Sequence, residues 1–127
     1  MLRIIPIQTK DEQETLMRAC SIPFRYDAMA YAAYEGDTLV GGAQFYLKGT
    51  ACYLVDIRSP EGVEDEEALF IMGRGLLNFV DLCGIHDAYA INEGNMDKKL
   101  IAKIGFWKNE KGEEYMNLRG FFTSHKH

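Results

Sequence analysis

The segment Ala51-Cys52-Tyr53-Leu54-Val55-Asp56-Ile57 constrains the fold more than any other part of the chain. Successive side chains of a strand point to opposite faces, so alternate positions report on one face each. Both sets are apolar here apart from Asp56, which is the pattern of a strand covered on both sides. A central strand over 51–57 is therefore expected, with other elements packed above and below it.

The flanking sequence supplies those elements. Arg3 to Ile7 reads as a short strand. Thr9 followed by Glu12 has capping-box spacing, and Leu16, Ala19 and Cys20 form a helical stripe over roughly residues 10–20, ended by Ser21-Ile22-Pro23. Residues 29–34 and 39–47 read as a hairpin turned by Glu35-Gly36-Asp37-Thr38, with Gly41-Gly42 marking a bulge or a close approach of backbone. Lys48-Gly49-Thr50 turns the chain into the central strand. A longer helix follows, its apolar stripe running through Leu69, Met72, Leu76, Phe79, Val80 and Cys83 up to Gly84. Ile85 to Asn92 is a further strand. Asn95 is placed to cap a short helix with the stripe Met96, Leu100, Ile101 and Ile104, closed by Gly105 in a left-handed conformation. Phe106 to Lys108 and Tyr115 to Phe122 form a closing hairpin around Asn109-Glu110-Lys111-Gly112.

The order is β-α-β-β-β-α-β-α-β-β, which implies an α/β (α+β) chain with a mixed, mostly antiparallel sheet and helices on both faces. A length of 127 residues makes 1–127 a single domain. The chain carries 14 basic and 19 acidic residues, net −5, which argues against a general nucleic-acid binder or a polybasic membrane anchor. No apolar run approaches the roughly 20 residues of a membrane span, and the first residues lack signal-peptide shape. The cytoplasm is the expected compartment. Cys20, Cys52 and Cys83 lie about thirty residues apart in apolar stretches. They read as buried reduced thiols, and no metal site is expected.

Asn95 through Phe106 reads Asn-Met-Asp-Lys-Lys-Leu-Ile-Ala-Lys-Ile-Gly-Phe. This resembles the closing motif of the GNAT N-acetyltransferase superfamily, in which an Asn leads a short helix ending Lys-hydrophobic-Gly-Phe. The element order matches that fold along nearly the whole chain, as does the helix ending Leu76-Leu77-Asn78-Phe79-Val80 before Gly84. The resemblance implies acetyl transfer from acetyl-CoA to an amine, small-molecule or peptide. It also implies a cleft where the central strand and the strand after the long helix splay apart. The cofactor's arm would lie there against Val55 and Ile57, with Asn92 and Asn95 contacting its amides. Its pyrophosphate would sit on backbone N–H groups at the start of the long helix.

The family signature for that loop is Arg/Gln-x-x-Gly-x-Gly/Ala. A family-length helix counted back from Gly84 puts the loop at Glu64-Asp65-Glu66-Glu67-Ala68-Leu69, without the basic residue or either glycine. Glu61 to Glu67 instead holds five carboxylates in seven residues, which suits a helix N-terminus but repels phosphate. Acetyl-CoA binding is therefore expected to be weak. Alternatively the helix starts near residue 73, residues 61–72 are an insertion, and Gly73-Arg74-Gly75 cradles the phosphates. The family's Tyr, four residues before the closing Gly, is Ile101 here. Tyr89 is the candidate to replace it as the acid, and Asp56 is the candidate base at the splay. Phe24, Arg25 and Tyr26 are candidates for a pocket wall or an interaction edge. The resemblance leaves a second reading, a member without catalysis that serves as a binding module or forms a homodimer.

Overall fold

The computed structural model describes residues 1–91 and 96–122. Its strands are β1 (Leu2–Pro6), β2 (Met29–Glu35), β3 (Thr38–Lys48), β4 (Ala51–Arg58), β5 (Asp87–Ala90), β6 (Trp107–Lys108) and β7 (Glu114–Asn117). They form one sheet in the order β1-β2-β3-β4-β5-β7-β6. Only β4 and β5 pair in parallel; the other pairs are antiparallel. β4 is the middle strand, as its two-sided apolar pattern requires.

Among the described residues, three helices cover the sheet: α1 (Lys10–Ala19), α2 (Glu66–Leu82) and α3 (Lys98–Ile104). Thr9 caps α1, its hydroxyl accepting from the Glu12 N–H at 3.1 Å and donating to Glu12 Oε1. α1 buries Gln13, Leu16 and Met17 on one face of the sheet. α2 buries Leu69, Met72, Leu76, Leu77 and Val80 on the other, each contributing about 1.5–3 kcal/mol of apolar burial. Gly41 and Gly42 show why two adjacent glycines are needed between these layers. A Cβ on Gly41 would stand 2.6 Å from Leu69 Cδ2 of α2, and one on Gly42 2.9 Å from Cys20 Sγ at the end of α1. The bulge lies beside them, where the β2 register shifts between Ala33 and Tyr34.

Four sequence expectations are corrected. α3 starts at Lys98 under Asp97, whose carboxylate accepts from the Lys99 N–H, so Asn95 is not its cap. Gly105 has φ of 137°, positive but more extended than a left-handed cap. β7 stops at Asn117, because Asn117 Oδ1 accepts from the Arg119 N–H and a turn through Gly120 follows. Cys83 is exposed at the end of α2, whereas Cys20 and Cys52 are buried. Burial pushes those two thiols up to about 11 and about 12.

Candidate functional site: the parting of the central strands

Among the described residues, β4 and β5 pair through Leu54 and Ala90, and the Ile91 N–H donates to the Leu54 carbonyl. At that point the β3–β4 register shifts, Phe45 facing Leu54 and Gln44 facing Asp56, so Val55 is the extra, bulged residue. A bulge of this kind bends its strand and increases the local twist. Val55 follows directly on Leu54, the last β4 residue of the described β4–β5 ladder. Ile57 points into the core beneath α2, near the place a Gly73 Cβ would occupy.

Beyond the parting, a cavity of about 470 Å³ lies between the end of β4, the start of α2 and the start of α3. Ile57, Leu69 and Leu100 form its apolar wall. Arg58, Ser59, Glu64, Asp65, Glu66 and Asp97 form its polar rim. The Arg58 Nε and Ser59 Oγ atoms are buried with no partner among the described residues. Four carboxylates against one guanidinium leave the rim negative.

The start of α2 decides what this cavity can hold. The helix begins at Glu66, and the Asp65 carboxylate accepts from the Ala68 N–H at 3.0 Å. An N–H that an anion would need is thus already taken by the chain's own side chain, and Glu66 and Glu67 fill the first turn. The alternative helix start near residue 73 is overturned. α2 runs through Gly73, Arg74 and Gly75 with nearly two turns before them. A Gly73 Cβ would meet Ile104 Cδ1 at 2.6 Å, so this glycine permits close packing of α3 on α2. Arg74 bonds through Nε and Nη2 to the carbonyls of Ile104 and Lys103 and lies over the rings of Phe70 and Phe121. It braces the C-terminus of α3, a favourable place for a cation. These residues do not fit a coenzyme A pyrophosphate.

Asp56 is on the opposite sheet face, beside Gln44 and near Cys20. It is 3% exposed; Oδ1 accepts from the Ile57 N–H and Oδ2 from Arg58 Nη2, both at 2.8 Å. An amine would have to displace Arg58 to use it. Tyr89 is on the same face, stacked on Tyr53 with ring centroids 5.4 Å apart. Asp56 lies three positions farther along β4 than Tyr53, roughly 10 Å by strand rise, so the two candidates share a face without forming a pair. Partial burial, followed by the charges of Glu113 and Asp87, raises the Tyr89 phenol above its ordinary value. Ile101 is buried in the core. Asn92 and Asn95 lie outside the described residues. Among the described residues no His, Cys, Asp and Glu cluster could hold a metal ion, and no helix is long and apolar enough to cross a membrane.

Sequence reasoning missed Arg58, Ser59 and Asp97, which become part of the rim only through the bulge and the late start of α3. It also missed a row of rings on the α1 face: Tyr46, Tyr53, Tyr89, Tyr115 and Trp107, with neighbouring centroids 5.1–5.6 Å apart. The signal was an aromatic residue on several strands, readable as one row only once the register is known. Arg25 lies over Tyr46 at the near end, 4.4 Å from the centroid, which places it on this face rather than at a free edge.

No protein-family sequence model matches the chain, and no curated protein sequence is significantly similar to it. Solved structures do match. An acetyltransferase from Bacillus subtilis in complex with CoA superposes with a TM-score of 0.65 at 19% identity, covering 84% of this chain and 77% of that one. The ribosomal-protein-S18-alanine N-acetyltransferase of Escherichia coli gives 0.65 at 13% identity, covering 93% and 94%. The IAA acetyltransferase of Bacillus cereus gives 0.69 at 15% identity, covering 86% and 79%. The chain has the GNAT acetyltransferase fold.

Proposed function

We propose that this chain is a GNAT-fold protein closed to coenzyme A, acting as a binding or homodimer-forming module rather than as an acetyltransferase. One observation carries this reading: α2 starts at Glu66 beneath the Asp65 cap, so carboxylates stand where the cofactor's phosphates would need free N–H groups. The locked Asp56–Arg58 pair and the burial of Ile101 support it from the catalytic side. In this reading the protein is cytoplasmic, without nucleic acid, membrane or metal among its partners. Calorimetry of the unmodified protein with CoA and acetyl-CoA tests it. Dissociation constants above about 100 μM, or −5.5 kcal/mol, are expected, and micromolar binding would overturn it.

A second reading is an N-acetyltransferase that carries the acetyl group of acetyl-CoA to a small-molecule or peptide amine. The unpartnered Arg58 Nε and Ser59 Oγ atoms favour it, because they are donors at the β4 end of the cavity. Asp56 and Tyr89 would be its catalytic residues, and Val55, Ile57, Asn92 and Asn95 its cofactor contacts. Acetylation of a panel of amines, with loss of turnover in Tyr89→Phe, would select it over the first.

A further inference from the structure

The row of rings on the α1 face changes character along its length. Tyr46, Tyr53 and Tyr89 stand parallel, with interplanar angles of 17° at both steps, and so cover one another's faces. Past Tyr89 the row opens. Tyr115 is tilted by 51° to Tyr89, and Trp107 stands at 82° to Tyr115. The three rings and the β6–β7 turn bound a cavity of about 440 Å³, within the size range of small-molecule sites. Asp87, Glu110 and Glu113 line it against the single ammonium of Lys111. Asp87 is fixed there by the Tyr115 hydroxyl, which donates to Oδ1 at 2.6 Å. The far end of the row shows the same chemistry satisfied internally, with the Arg25 guanidinium over Tyr46.

We propose that Tyr89, Tyr115 and Trp107, with Asp87 and Glu113, form an aromatic cage for a small organic ammonium cation. Ring quadrupoles attract a cation laid against their faces, and the carboxylates supply the net charge that selects a cation over a neutral molecule of the same shape. The cage lies on the sheet face opposite α2 and away from its acidic N-terminus, so it stands whether or not coenzyme A binds.

Trp107 is the chain's one tryptophan, and it is 55% exposed, so it reports on the cage directly. Choline and butylammonium are titrated at constant ionic strength while Trp107 fluorescence and tyrosine ring proton shifts are followed. Sodium chloride and the uncharged isostere dimethylbutanol serve as controls. A saturable response to either ammonium ion, absent with both controls, is expected. Glu113→Gln should weaken it at least threefold with an unchanged melting temperature, since this residue is exposed on the turn. Tyr89→Leu should weaken it more. No saturable response by either readout, an equal response to dimethylbutanol, or full affinity in Glu113→Gln would overturn the cage.

Discussion

Replacing Glu64, Glu66 and Glu67 together by Gln tests the physical reason behind the proposed exclusion of coenzyme A. Asp65 is left in place, because its bond to the Ala68 N–H caps α2 and such caps hold about 0.5–2 kcal/mol. The three side chains are exposed, Glu66 by 56%, so a high effective dielectric applies to them. At roughly 6 Å and a dielectric of about 40–80, each carboxylate costs a phosphate charge about 0.7–1.4 kcal/mol. The second pyrophosphate charge raises this and physiological salt lowers it by a similar factor, leaving about 1 kcal/mol per residue. The sum is about 3 kcal/mol, so acetyl-CoA affinity should rise on the order of 100-fold, into the low micromolar range. The gain should shrink at high salt. The helix pays for the change: lost dipole complementarity should lower stability by about 1–2 kcal/mol, while the exposed Glu66–Lys103 pair at 3.8 Å adds little. Calorimetry and urea denaturation of both proteins measure the two effects. A folded triple variant that binds acetyl-CoA no better than the parent would refute the electrostatic reasoning.

Three further outcomes follow from the packing and the polar contacts. Gly105→Val should destabilise by about 2–4 kcal/mol, because φ of 137° strains any side chain and a Cβ would stand 2.7 Å from Met116 Cε; an unchanged melting temperature would contradict this. Gln44→Leu should cost about 2–4 kcal/mol in chemical denaturation, since it removes the bonds that the Arg25 N–H, the Pro23 carbonyl and Gln13 Nε2 make to Gln44, leaving Gln13 Nε2 its bond to the Arg25 carbonyl. Tyr115 should titrate last among the tyrosines, since the hydrogen bond to Asp87, then burial, raises its phenol to about 12. Its raised folded value means that this contribution to stability is complete below pH 10 and is lost as pH rises towards 12. Ultraviolet titration should show the late phase disappear in Tyr115→Phe.

Most of the fold was legible because it is written in local patterns. The two-sided run at 51–57 placed β4 in the middle of the sheet, and Thr9–Glu12 placed the start of α1 to the residue. Gly41-Gly42 announced a close approach, though not that each glycine would serve a different layer. The start of α3 was misplaced because Asn95 and Asp97 both have capping chemistry, and a seven-residue helix gives periodicity little to work with. Cys83 was misjudged for a related reason: a stripe extended to the last turn of a helix runs past the sheet that would bury it. The candidate site was harder to read. Residue types named Asp56 as an acid in an apolar strand, but not that Arg58, two residues on along the same strand face, would pair with it. The rings at 46, 53, 89, 115 and 107 lie on five strands, and no sequence spacing links them.

What holds this fold together is separable from what would hold its cofactor. The close approaches at Gly41, Gly42, Gly73 and Gly105 fix the helices on the sheet through apolar atoms alone: Leu69, Cys20, Ile104 and Met116. None of these contacts involves the charge at the start of α2. Acids in the first turn of that helix stabilise it by dipole complementarity. Ala68 and Leu69, just behind the acidic residues, belong to the buried face of α2. The Val55 bulge belongs to the β3–β4 register and needs no ligand to maintain it. The fold and the charge at the start of α2 can therefore be tested separately, the first by denaturation and the second by calorimetry with acetyl-CoA.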